Sequence, residues 1–228
     1  MDGTFAAIDI SLWILCLLLI VLFVRSVWKY SQSRSRVELM WGSGLALAAA
    51  AMAVEAIVFL GVVSSALLQA YVFFSAAIVG VLSLGATRVL RSPRLENGYT
   101  AYIAATCALV AVASLLTPMP DSMVSNGIIA GNPPLLLLVL STLVTGPATV
   151  VLLTASAVSL RRSRKWQTLL MIAGALILGA GGTLYIASFP VALYYAEFIG
   201  IVLLFFGIVS LPSASTARSS VPASTPAH

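Results

Sequence analysis

The sequence predicts an all-α, polytopic membrane protein: a bundle of seven transmembrane helices, N-terminus outside and C-terminus cytoplasmic. Three observations predict it. Of 228 residues, 61% are hydrophobic and only 8% are charged, and the mean hydropathy is +1.08. A soluble domain carries about 25% charged residues, so this chain cannot clothe a core in a solvated surface. The apolar residues gather into stretches of about 20 or about twice that, and about 20 residues cross roughly 30 Å of hydrocarbon. Finally, all 12 Lys and Arg residues fall in alternate connections between those stretches or in the C-terminal tail. Composition therefore excludes a soluble enzyme. It also excludes a collagenous or a disordered chain, because the sequence is apolar without a Gly-X-Y period.

The expected spans are 5–24, 40–61, 66–87, 99–117, 134–160, 167–187 and 191–211, followed by a disordered cytoplasmic tail at 213–228. The first opens the chain without a basic n-region, and its positive charges, Arg25 and Lys29, come after the apolar run. That is the pattern of an uncleaved first span. The stretch from Met40 to Thr87 would be about 70 Å long as one helix, so it must fold back, and Gly61-Val62-Val63-Ser64-Ser65 is the turn. The fourth span follows a connection that holds Arg88, Arg91 and Arg94. The fifth contains Pro147, a kink position. Gln167 to Leu211 is again too long for one helix, and Ser188-Phe189-Pro190 divides it, since proline disfavours helix in the residue before it. The tail is rich in Ser, Pro, Ala and Thr with no apolar period.

Charge orients the bundle. With the N-terminus outside, the cytoplasmic segments 25–39, 88–98, 161–166 and 212–228 hold every basic residue, and the exterior segments hold none. The net charge of +5 is then an orientation signal rather than a nucleic-acid footprint. Trp28, Tyr30, Trp41, Tyr99 and Trp166 are expected at the inner interface, and Tyr71, Tyr185, Tyr194 and Tyr195 near the outer one. The segment 25–39 could lie in the interface with its aromatics turned down. Arg161, Arg162, Arg164 and Lys165 could hold anionic lipid headgroups.

Acids inside the spans are the candidate functional positions. Asp9 falls in the first turn of span one, where the macrodipole favours it. Glu55 and Glu197 lie deeper, roughly 10 Å below the outer surface. Glu55 shares a helix face with Gly44, Ala48 and Ala51, and Glu197 shares one with Tyr194 and Gly200. Small residues at such spacings let helices approach closely in lipid, so both acids should point inward. No Lys, Arg or His stands in the outer half of any span. The pair could be protonated and hydrogen-bonded to Tyr71, Tyr185, Tyr194, Gln69 or Thr183, all placed near that level. It could instead bind a proton or cation, or form the polar end of an apolar-ligand pocket. The exterior segment 118–133, with Pro118, Pro120, Gly127, Gly131 and Pro133, is a poor helix that could cap this end.

Other chemistry is missing from the sequence. The single histidine is His228, so a His-containing triad has no place in the spans, and Cys16 and Cys107 are isolated. The architecture resembles rhodopsins in span number and orientation, but residues 191–211 contain no lysine for a retinal Schiff base. No cofactor or metal is expected. The expected partners are the lipid bilayer and, through the small-residue faces, a membrane-protein subunit or a second copy, but not nucleic acid. The sequence reading is a non-enzymatic multi-pass protein of the cell membrane acting as a helix-packing or accessory subunit. The alternative is a proton, cation or lipophilic-ligand bundle built on the two glutamates.

Overall fold

Among the described residues, five long helices form where the sequence is continuously apolar, because without water each backbone N–H must be met inside its own segment. In this computed structural model α1 spans Gly3–Ser33, α2 Arg36–Phe59, α3 Ser65–Thr87, α4 Pro93–Leu116 and α5 Leu135–Ser163. A short antiparallel hairpin, β1 Val124–Ser125 and β2 Ile128–Ile129, lies between α4 and α5. The structure describes residues 3–34, 36–87, 93–125, 127–129 and 131–163, with helical pieces at 169–170, 173–174, 176–177, 196, 199–203 and 206. Each of the five helices is long and apolar enough to cross a membrane. The division into spans 167–187 and 191–211, and the tail at 213–228, fall outside the described residues except for those pieces.

Two boundaries differ from expectation for local reasons. Helix α1 does not stop near residue 24 but continues through Arg25 and Lys29 to Ser33, since Arg and Lys are good helix formers. It ends where Arg34 takes a left-handed φ of 50°, with its N–H donating to Tyr30 O at 2.8 Å. Most of segment 25–39 therefore belongs to α1 and α2 and is not a separate interfacial element. Helix α4 starts at Pro93 rather than near 99, because proline's fixed φ suits a first helical position. Glu96 in its first turn complements the macrodipole.

The turn after α2 is where glycine is required. Gly61 has φ 90°, Gly61 N–H donates to Val58 O at 2.9 Å and Val62 N–H to Ile57 O at 3.2 Å. This is a Schellman end, which needs a left-handed residue. Three residues later Ser64 Oγ accepts from Leu67 N–H at 3.3 Å and caps α3.

Helices α2 and α3 are the centre. Half of the α2 span is buried, against 17% for α4 and α5. Helix α3 packs on α2, α4 and α5, and α1 packs on α2. At Gly44 a Cβ would stand 2.5 Å from Leu82 Cδ2, so a side chain there would require Leu82 to move. Leu15, Leu19 and Leu22 of α1 bury against Leu45, Ala48 and Met52 of α2, joined by Ile201. Helices α3 and α5 run the same way: Val72 clusters with Leu137, Gly80 faces Val144, and Ala86 clusters with Leu152. Among the described side chains, Arg25, Lys29, Arg34, Arg94 and Arg161 then lie toward one end of the bundle.

Pro147 lies inside α5 as expected, and the structure shows how it is accommodated. A proline has no N–H for the carbonyl four residues back. That carbonyl is Leu143 O, and Tyr102 Oη of α4 donates to it at 2.6 Å. Tyr102→Phe should therefore lower stability by about 1 kcal/mol, the usual net worth of such a bond. In a Pro147→Ala background, which restores the missing N–H, the same substitution should cost close to nothing. Thermal unfolding of the four proteins in detergent checks the coupling, and additive losses would contradict it.

Candidate functional site

Glu55 stands on α2 four residues before its last residue, Phe59, or roughly 6 Å from the helix end. It is 1% exposed and shares its buried face with Gly44, Ala48 and Ala51, as the small-residue spacing predicts. An acid at such depth must be protonated or paired. Tyr71 of α3 supplies one partner: its Oη donates to Glu55 Oε1 across 3.4 Å, a long bond. Tyr71 is 5% exposed, so it belongs to the interior and not to an outer aromatic belt.

The connection between α4 and α5 closes over this pair. Its fold follows from local chemistry. The hairpin pairs Val124 with Ile129 and Ser125 with Ile128, so two residues, Asn126-Gly127 in the sequence, separate the paired positions. Asn-Gly is a favoured sequence for a two-residue hairpin turn, and Gly127 has φ 76°. The Gly127 Cα side faces Phe59 O at the end of α2. Gly131 N–H donates to Met123 O at 3.0 Å, and a Cβ on Gly131 would lie 2.5 Å from Ser122 O. Only glycine allows that approach. Met123 and Ile129 are fully buried and cluster with Ala51, Val54, Tyr71 and Leu137. The segment is thus a packed apolar cap.

Gln69 serves the cap and not the acid. Its Nε2 donates to Thr117 O at 3.0 Å, while Ser65 Oγ accepts from Met119 N–H at 3.4 Å. Of the residues singled out from the sequence, the structure brings together Glu55 and Tyr71 and assigns Gln69 elsewhere. Asp9 lies in α1, but its side chain is outside the described set. Glu197, Tyr194, Tyr185 and Thr183 lie outside the described residues, as do Arg164, Lys165, Trp166 and Tyr195. Arg161 is exposed near the end of α5, and the Arg162 side chain is not described.

Other polar contacts had no sequence signal. Ser83, fully buried on α3, donates to Gly80 O at 2.6 Å, which leaves Tyr99 Oη as the donor to Ser83 Oγ at 2.7 Å. Tyr99 therefore binds α4 to α3 and is half-buried. Trp28, in contrast, is exposed as a belt residue should be. Among the described residues, no group of three or more His, Cys, Asp and Glu side chains is placed to hold a metal.

Fold and site together define a helical bundle of membrane-capable helices with Glu55 sealed inside its capped end. No family model, curated protein or solved structure matches the chain.

The cap is testable by labelling. With Cys16 and Cys107 replaced by alanine, a cysteine introduced by Ile129→Cys should resist a membrane-impermeant maleimide. Adding Gly131→Val should expose it and raise the labelling rate at least severalfold. Rapid labelling without the Gly131 change would show that the segment does not pack.

Proposed function

We propose that the protein is a non-enzymatic multi-pass subunit of the cell membrane that acts through helix packing, in the role of an accessory or scaffold component. The observation that carries this reading is the burial of Glu55 at 1% exposure beneath an apolar cap, with Tyr71 as a hydrogen-bonding partner. An acid used this way fixes the rotation of α2 against α3, because packing among apolar side chains alone is not directional. The proposal includes seven spans with the N-terminus outside. Clustering of the described basic side chains toward one end of the bundle supports that orientation under the positive-inside rule.

The competing reading is a proton, cation or lipophilic-ligand site shared by Glu55 and Glu197. It is favoured by the length of the Tyr71 bond, 3.4 Å, which a bound ligand could rearrange.

Two substitutions separate the readings. Under the packing role, Glu55→Gln keeps a hydrogen-bonding group of the same shape and should stay within about 1 kcal/mol of the parent, whereas Glu55→Ala should cost roughly 2 kcal/mol or more. A melting temperature that shifts with pH or cation in the parent, and no longer shifts in Glu55→Gln, would select the site reading instead. Native mass measurement after mild-detergent extraction should show a defined stoichiometric assembly heavier than the 23.8 kDa chain. A chain that is monomeric in every extraction would count against the accessory role.

A further inference from the structure

Gly146 of α5 serves neither of the needs that place glycine in the core and the cap. At Gly44, Gly80 and Gly131 a Cβ would lie 3.0 Å or less from a neighbour. Gly61 and Gly127 take a positive φ. A Cβ at Gly146 would meet nothing within 4 Å, and the residue lies inside a long helix. Neither packing nor a turn asks for glycine there. What it gives is a backbone with no side-chain restraint. The next residue is Pro147, which cannot close the ladder bond to Leu143 O. Two adjacent residues thus loosen α5 at one level.

The two arms that meet at this level are held differently. In the outer arm Leu137 and Val144 are fully buried, Leu137 in the cluster beneath the cap and Val144 in the cluster with α3 and α4. The same arm is tied near its end by Tyr102 Oη, which donates to Leu143 O at 2.6 Å. Tyr102 stacks on Tyr99 with ring centres 6.3 Å apart, and Tyr99 is bonded to Ser83 of α3. Among the described residues, the clustered side chains past Pro147 are Leu152 and Ala155, packed on Ala86 of α3 with Val79 beside them. Thr149 and Thr154 of this arm donate to carbonyls of α5 itself.

We propose that α5 is a hinged helix: its inner arm, residues 148–163, swings about Gly146-Pro147 while Tyr102 holds the outer arm to α4. A proline gap in a membrane helix leaves a carbonyl that lipid cannot satisfy. Here Tyr102 meets it, and because Leu143 belongs to the outer arm, the tie stays closed while the inner arm moves. Bending elsewhere in α5 would break a ladder bond, and bending at this level does not. A change of about 20° in the bend carries Ala157, about 15 Å past Pro147, through roughly 5 Å. Arg161 lies further along the same arm, so the swing moves a basic group relative to the other helices. The inference does not rest on the role given to Glu55, which is bonded between α2 and α3.

Spin-label distances in the full chain, reconstituted in vesicles, read the swing. Cys16 and Cys107 are replaced by alanine, and exposed positions carry the labels. Gln32→Cys with Ala157→Cys spans α1 and the inner arm, and Ile14→Cys with Leu136→Cys spans α1 and the outer arm. The inner pair should give a distribution about twice as wide as the outer pair, or two distances roughly 5 Å apart. Gly146→Ala, for which the structure has room, should narrow the inner pair to the width of the outer. Pro147→Ala should do the same by restoring the ladder bond. Tyr102→Phe should widen the outer pair, because Leu143 loses its tie to α4. Inner and outer pairs of equal width in the parent would make α5 a static kink and overturn the hinge. So would an inner pair that stays wide in both Gly146→Ala and Pro147→Ala, since the motion would then arise elsewhere in the helices. An unchanged outer pair in Tyr102→Phe would overturn the part assigned to Tyr102.

Discussion

Every polar atom that a membrane-spanning chain buries must find its partner inside the protein, since the hydrocarbon offers none. Many of the hydroxyls here meet that demand within their own helix. Thr106, Thr142, Thr149 and Thr154 each donate to the carbonyl four residues back, at 2.8–2.9 Å. Such bonds satisfy the group and say nothing about the neighbouring helix. A second set crosses between elements: Glu55 with Tyr71 joins α2 to α3, Ser83 with Tyr99 joins α3 to α4, Tyr102 with Leu143 joins α4 to α5, and Gln69 with Thr117 ties α3 to the cap. Each of the four links a different pair of neighbours.

That distribution gives the bundle its specificity. Apolar side chains in lipid pack against one another or against acyl chains with similar benefit, so they tolerate rotation and sliding. Close approach at Gly44 removes some of that freedom, because Leu82 occupies the space a side chain there would take. The directional bonds remove more. Pro147 is the clearest instance: a backbone defect on α5 becomes an acceptor, and the acceptor is met by one tyrosine of α4. A residue that would weaken an isolated helix thus helps to position two helices.

How much of this was legible in the sequence depends on what each feature needs. The five described helices follow from apolar length alone, and the inward face of α2 from the spacing of Gly44, Ala48, Ala51 and Glu55. Tyr71 could be named as a partner for Glu55 because both lie near the same end of consecutive antiparallel helices. Gln69 shared that level yet turned to the cap, and level alone carries no information about rotation. Helices α4 and α5 are apolar on their outer faces too, as exposed Leu109, Val112, Leu136 and Val150 show. A helix apolar all round does not announce which side faces in, so the bonds of Tyr99 and Tyr102 to neighbouring helices have no signal in the sequence. The hairpin's signal, Asn126-Gly127, stands among prolines and glycines that suit an irregular segment equally well.

The two ends of the bundle answer different physical problems. At the capped end, the backbone leaving α2 and α4 would meet the interface with unsatisfied groups. The Schellman turn, the Ser64 cap and the Gly131–Met123 contact absorb them, and Met123 and Ile129 exclude water from the carboxyl below. At the basic end, the connection between α1 and α2 is short and holds the left-handed Arg34. Sealing the first end makes Glu55 costly to charge. At the second end Arg34 is exposed, where charge is cheap because polar surroundings solvate it. Glu55 inside the closed end, and the described arginines and lysine toward the other end beside Glu96 of α4, thus meet opposite conditions of solvation.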